Sequence, residues 1–381
     1  MKKMKFDAAI IGGGVVGSAI AWKLASKGAK TVLLEKDDIC SGASCTNPGF
    51  CVLSYRENAL TMSLALRQQR QWESLQDEIG DVEYEATGGL IPLTDESQEE
   101  ALSKLCSHAK KLGLDDIGLI SAKEAINLEP ALSETRIIGA CWCPGEGRVN
   151  PFKLNLRMAD KAKSLGAKLM PHTPLEKMIV ENGRVKTLIT PGGEIEAELV
   201  ILATGAWTKD AAKMAGVSVP VFYERGEAMV SMPVAPLLKR IITDGALFTG
   251  APDERGFVIG AALTQTKDGN VVIAQATTRP SNYDKSNTLE GMKRVAERAL
   301  YLFPTLNELE IIRMWSGLVS YTADKQPIFG IYRDIENLFI VNSFHSAIAI
   351  SPLIAEMVAD YWKTGIIPQE AKAYTPNRFN T

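Results

Sequence analysis

A chain of 381 residues, 46% hydrophobic and 23% charged, is long enough for two domains with full cores and has an ordinary globular composition. Its formal net charge of −3, with no basic arm, acidic tail or low-complexity block, excludes a phosphate-tracking surface, so nucleic acid is not an expected partner. The basic first residues, Met1 to Lys5, lead into an apolar run that is too short for a membrane span and lacks a small-residue cleavage site, which predicts a cytoplasmic protein.

That run, Phe6 to Ile11, predicts a buried strand ending at Gly12-Gly13-Gly14. A helix from Val15 to Lys27 follows and Gly28 stops it. Thr31 to Glu35 predicts a second buried strand, closing a strand–helix–strand unit of about 30 residues. Leu60, Leu64, Trp72, Leu75 and Ile79 fall at helical spacing and predict one long amphipathic helix over 58–80. A strand over 89–93 and a charged helix over 96–112 come next. Pro151 and Gly166 then open and close another helix. Glu198 to Ala203 predicts a short apolar strand running into Thr204-Gly205. Alternation with repeated turn signals over 221–277 suits an antiparallel sheet. A helix over 284–301, a strand-rich tail and a closing helix over 352–363 complete the chain.

The motif Gly12-x-Gly14-x-x-Gly17 directly follows the first strand and opens the first helix, and Glu35 ends the second strand about 20 residues on. In that setting Gly12 makes the tight turn, Gly14 leaves room for a pyrophosphate, and Gly17 packs helix on strand. The helix N-terminus, with Val15 and Val16 in its first turn, offers amide donors and positive dipole to the phosphates, and Glu35 is the expected ribose acid. The loop alone does not separate NAD from FAD. The six cysteines (Cys40, Cys45, Cys51, Cys106, Cys141, Cys143) include no Cys-x-x-Cys pair, and His108, His172 and His345 are the only histidines. Reduced thiols and no metal site are therefore expected.

Beyond the glycine loop, the sequence resembles the D-amino-acid-oxidase-type FAD-dependent oxidoreductases. The resemblance is carried by Glu35-Lys36, Ser41-Gly42-Ala43-Ser44, Gly147-x-Val149-Asn150-Pro151, Ala203-Thr204-Gly205-Ala206-Trp207, Trp315-x-Gly317, Thr322-x-Asp324 and His345-Ser346-Ala347. It implies bound FAD. Lys36, Gly42, Ala43, Ser44, Leu175, Ala203, Thr204, Gly205 and Trp207 would line the dinucleotide, with Leu175 touching the adenine through its backbone. Gly317, Ser346, Ala347, Ile348 and Ala349 would lie by the isoalloxazine. It also implies an α/β fold in which a Rossmann-type FAD-binding domain (1–80, 148–215 and 313–381) is interleaved with a substrate domain (81–147 and 216–312) built on a large antiparallel sheet.

Two positions depart from that pattern. Ala347 stands where relatives carry Gly, and Val319 where many amino-acid-oxidising relatives carry a carboxylate-binding Arg. No Cys precedes Tyr321-Thr322, so the FAD is expected to be non-covalent. Arg56 reads either as a replacement carboxylate anchor or as a surface cation, with Arg225 as the next candidate. His345 reads as a catalytic or substrate-polarising group, or as a residue packed on flavin. Tyr321 reads as a substrate donor or as a half-buried strand aromatic. Tyr223, Arg225 and Glu227 resemble the strand entering the substrate cavity, although as residues they suit a salt-bridged sheet face. Trp142, Trp207 and Trp315 suit core or flavin-side packing.

The activity implied is oxidation of a C–N bond in an amino acid or secondary amine (N-alkyl, proline-like or opine-like). Hydride would pass to flavin N5 and leave an imine that hydrolyses. Oxygen, a quinone or a partner subunit would accept the electrons, in a homo- or hetero-oligomer. Two alternatives stay open: a 2-hydroxy-acid or polyol-phosphate dehydrogenase, and an electron-relay subunit of a heteromer.

Overall fold

Strands that are apolar on both faces must be covered on both faces, and the Thr31–Leu34 and Leu338–Asn342 strands of the first sheet are. In the computed structural model, which describes residues 3–379, the strands β1 (Lys3–Ile11) and β2 (Thr31–Leu34) flank the helix α1 (Val15–Ser26). The sheet runs in the order Ile328–Ile331, Leu338–Asn342, Gly193–Leu202, β1, β2, Lys168–Met170. Its central pairs are parallel and its Ile328–Ile331 edge is antiparallel. Two further strands, Lys177–Glu181 and Arg184–Thr190, attach as an antiparallel ribbon to Gly193–Leu202. All of Thr31–Leu34 and Leu338–Asn342 is buried. Helix α1, with Trp22 fully enclosed, packs against the helices Pro151–Ser164 and Ser351–Thr364.

The second sheet has eight strands in the order Ile311–Thr322, Val221–Pro233, Asn270–Thr278, Val258–Gln265, Ile241–Thr243, Gly89–Leu93, Gly139–Cys143, Gly118–Ser121. Every pair is antiparallel except Ile241–Thr243 with Gly89–Leu93, which is parallel. The domain boundary expected at 313 falls inside this sheet. Ile311–Thr322 pairs along Val221–Pro233, so the chain returns to the first sheet only after Thr322.

Two further expectations are corrected. The helix predicted over 58–80 is two helices, Ala59–Gln69 and Trp72–Ile79. The chain leaves the helical path at Gln71 (φ −117°, ψ 4°), which turns Trp72 into the core to stack on Tyr84 at 4.7 Å. The thiols are not all reduced, because Cys40 and Cys45 form a disulfide with Cα atoms 5.6 Å apart, bracketing the Ser41–Ser44 loop. Among the described residues no helix is long and apolar enough to cross a membrane.

The second sheet is held to its outer helix by a buried carboxylate. Asp244, fully enclosed, accepts from Arg298 Nε and Nη2 at 2.5 and 2.7 Å and from the amides of Ala246 and Ala261 at 3.1 Å each. Arg298 belongs to the Leu289–Leu302 helix, so this fork ties that helix to the turn carrying Leu247 and Phe248. Asp244→Ala is expected to cost roughly 3 kcal/mol in chemical denaturation. This is the low end for breaking a buried pair, because Arg298 keeps 21% of its side chain in solvent.

Candidate functional site

The site begins where β1 turns into α1. Gly12 has φ +110°, and a Cβ there would stand 2.4 Å from the carbonyl oxygen of Ala203. A Cβ on Gly17 would stand 1.9 Å from the oxygen of Gly12. These glycines bring the helix end, the strand end and the Ala203–Gly205 turn closer together than side chains permit. Gly14 caps α1 without a side-chain hydrogen bond. The Val15 amide donates to Ser44 Oγ at 2.9 Å, which draws the Ser41–Ser44 loop onto the helix N-terminus. Glu35 Oε2 accepts from the Gly13 amide at 2.7 Å and Oε1 from Asp37 at 2.9 Å, fixing the acid at the end of β2.

From there a cavity of about 1070 Å³ runs between the two sheets. That is the upper end for ligand pockets and is room for a dinucleotide with a small substrate. Of the residues expected to hold FAD, the cavity is lined by Gly12, Gly14, Val15, Val16, Glu35, Lys36, Gly42, Ala43, Ser44, Leu175, Ala203, Thr204, Gly205, Trp207, Ser346, Ala347 and Ile348. Gly17, Gly317 and Ala349 stand behind the wall. Gly317 matters by what it lacks, since a Cβ would lie 1.8 Å from Thr46 Oγ1. Beside it, Trp315 Nε1 donates to the Thr46 carbonyl at 3.0 Å, so the second sheet rests on the Ser41–Thr46 loop. Lys36 lies over the Trp207 ring at 4.0 Å, and Trp207 stacks on Tyr283. Glycines without room for a Cβ, an acid at the strand end and helix-terminal amides facing a long cleft fit the pyrophosphate and ribose of FAD. No cysteine is among the described residues lining the cavity.

At its far end the cavity is walled by rings. Phe248 lies 5.6 Å from Tyr55, Tyr55 is 6.0 Å from His345, His345 is 6.0 Å from Tyr321, and Tyr321 is 5.9 Å from Phe222. Val319 completes this wall as an apolar residue. Burial raises the Tyr55 and Tyr321 hydroxyls above the usual phenol range, so both remain neutral donors. His345 lines the cavity and keeps an exposed face that opens into it. Burial first, and then the charges of Arg56 and Lys325, push its imidazole down to about 4.

Arg56 is not the surface cation, although it lines the cavity. It is 3% exposed, which removes the surface cation. Its Nε donates to the Val52 carbonyl at 3.0 Å, Nη1 to that of His345 at 2.8 Å and Nη2 to that of Ser346 at 3.4 Å. Three of its five N–H donors are thus directed to backbone oxygens. Arg56 instead clamps the His345–Ser346 loop, where Ser346 is left-handed at φ 52°. Burial lowers its pKa to about 10, so it remains cationic at neutral pH. The turn leading to Arg56 is held by buried Glu146, whose Oε1 accepts from the Leu53 and Ser54 amides at 2.7 Å each.

Strand parity settles Tyr223, Arg225 and Glu227. Phe222, Glu224 and Gly226 face the cavity, so their neighbours face away. Tyr223 stacks on Tyr283, and Arg225 bonds Asp284 at 3.0 Å and lies 3.5 Å from Glu227, whose carboxylate accepts from Thr288. This is the salt-bridged sheet face, and Arg225 is not free for a substrate. Sequence reasoning missed Tyr55, Phe222, Phe248, Glu57 and Lys325. Tyr55, Glu57, Phe222 and Lys325 adjoin residues it singled out, whereas Phe248 sits in the short Ala246–Thr249 helix with no pattern to mark it.

Known proteins agree with this geometry. A family model described as FAD dependent oxidoreductase matches residues 7–361. Glycine oxidase of Geobacillus kaustophilus (strain HTA426) is 28% identical over 93% of this chain and 92% of its own length. Among solved structures, L-proline dehydrogenase from P. horikoshii superposes with a TM-score of 0.89 at 26% identity, covering 100% of this chain and 99% of its own. The crystal structure of the Geobacillus kaustophilus glycine oxidase superposes at 0.88 with 25% identity, covering 98% and 99%.

Two measurements test the site as described. Arg56→Ala removes the donor to three buried carbonyls and is expected to cost about 3 kcal/mol in stability, with weaker cofactor retention. A carboxylate anchor would instead shift substrate binding alone. For His345, a value near 4 when folded against about 6.5 when unfolded means that the unfolded chain binds more protons in between. Its contribution to stability is complete above pH 6.5 and is lost as the pH falls toward 4. His345→Gln should flatten the pH dependence of the melting temperature in that window by a fraction of a proton, since the cavity-facing surface still hydrates.

Proposed function

Because the chain belongs to the FAD dependent oxidoreductase family, we propose that it oxidises the carbon–nitrogen bond of an amino acid or secondary amine, with N-alkyl amino acids, proline-like rings and opines as its substrate class. The observation that carries this reading is the ring-walled chamber continuous with the dinucleotide cleft. FAD, when bound, supplies the two-electron acceptor. The chain supplies the surroundings. Phe248, Tyr55, Tyr321 and Phe222 keep bulk water from the reacting carbon. The neutral imidazole of His345 and two neutral phenols put no charge on the rings themselves, and a ring wall of this kind favours the free amine over its ammonium form. Loss of hydride from carbon and a proton from nitrogen then gives an imine, which water hydrolyses. The names of the similar proteins, a glycine oxidase and an L-proline dehydrogenase, support C–N oxidation as the class. The apolar Val319 supports a substrate held differently from one gripped by an arginine at that position.

The purified protein is expected to be yellow and to release FAD into the supernatant on acid precipitation, since no cysteine faces the cavity. Under anaerobic conditions N-methyl amino acids, proline or opines should bleach the flavin, faster as the pH rises through deprotonation of the nitrogen. Bleaching by 2-hydroxy acids alone would overturn the reading and make His345 the suspected base.

A further inference from the structure

An anionic substrate beside a buried flavin needs a cation, and the cavity's cations can be taken in turn. Arg56 directs three of its five N–H donors to carbonyls, which hold it to the His345–Ser346 loop. Arg279 donates to Glu224 at 2.8 Å and lies over Phe222. Lys36 lies over Trp207 at the nucleotide end, near Asp37. His345 is neutral, and the exposed His108 has its Nε2 3.3 Å from the Glu57 carbonyl. Lys325 also lines the cavity, and its ammonium has no hydrogen bond or ion pair among the described residues.

The backbone under Lys325 is fixed. It is left-handed at φ 56°, in a turn closed by Thr322 Oγ1 donating to the Gln326 carbonyl at 2.7 Å. Asp324 accepts from the Gln326 amide at 3.1 Å and from Arg378 Nε at 2.8 Å, so the C-terminal segment braces the same turn. The ammonium lines the same cavity as His345 and Glu57, and its charge acts to lower the pKa of both.

We infer that Lys325 is the specificity residue that binds the substrate carboxylate, so that the substrate is an amino acid with its nitrogen among the rings and its carboxylate at Lys325. This rests on the amine-oxidising reading above. A buried or half-buried carboxylate without a partner is costly, and Val319 offers none. The Lys325 ammonium bonds neither Glu57 nor any other described residue, so the cation is available to an incoming anion.

The test compares Lys325→Met and Lys325→Arg with the parent holoenzyme, using sarcosine and proline against their amides, in which the carboxylate is neutral. Loss of a charge-assisted contact should raise KM for the acids roughly 10- to 150-fold in Lys325→Met. KM for the amides should stay within about twofold and kcat should change little. Lys325→Arg should recover most of the affinity. Equal changes for acids and amides, or none, would overturn the assignment. A second readout separates this from failure of the amine reading: acetate and propionate, which the enzyme cannot oxidise at a C–N bond, are titrated by the shift they cause in flavin absorbance. If no amine bleaches the flavin, a shift given by these acids but not by acetamide, and lost in Lys325→Met, still sustains the anion site. A shift of equal affinity in parent and variant, or no shift in either, removes it.

Discussion

A Cβ at Gly17 would stand 1.9 Å from the carbonyl oxygen of Gly12, and one at Gly12 would stand 2.4 Å from that of Ala203. The turn from Gly12 to Gly17 and the Ala203 backbone, distant in sequence, therefore meet at a separation that only glycine allows. From that contact the direction of α1 follows, and with it the position of the helix amides and of the Ser41–Ser44 loop held by Val15 and Ser44. The far side of the meeting point is closed by Asn342, whose Nδ2 donates to the Gly205 carbonyl at 2.9 Å and to Thr208 Oγ1 at 2.6 Å. The floor of the cleft is in this sense a backbone construction, and its chemistry is that of amides and carbonyls.

The chamber above it is built differently, from side chains of two sheets brought into register. Gly317 and Trp315 set the second sheet on Thr46, while Arg56 pulls the His345–Ser346 loop toward Val52. His345 is presented by the first sheet, and Phe222 and Tyr321 by paired positions on neighbouring strands of the second. The ring wall exists only where these meet. A shift of one residue in the Val221–Pro233 strand would turn Phe222 and Glu224 out of the cavity and bring Tyr223 and Arg225 in, exchanging the Glu224 carboxylate for a guanidinium.

The parts legible in the sequence are those governed by short-range rules. The Gly12–Gly17 loop, α1 and Glu35 could be read because hydrophobic period, glycine spacing and a terminal acid all act within about 30 residues. Arg56 was visible as a residue of interest, but its partners, His345 and Ser346, lie nearly the whole chain away, so its role as a clamp was not. Trp72 misled for a related reason. It keeps helical spacing with Leu75 and Ile79, yet Tyr84 draws it inward and the helix breaks ahead of it. Lys325 stands next to Asp324 of the Thr322-x-Asp324 motif but was not itself marked, and its standing comes from the partners that Arg279, Arg56 and Lys36 already have.

The order of strands in the first sheet also shapes how the chain comes together. β1 lies between β2 and Gly193–Leu202, and that strand in turn needs Leu338–Asn342 beside it. During synthesis the first strand therefore emerges long before two of the strands that complete its sheet. High contact order of this kind slows folding, and an unpaired apolar strand edge is exposed to association with other chains in the interval. The interleaving that roofs the flavin cleft so fully makes the nascent chain a natural client for chaperones until its last hundred residues are available.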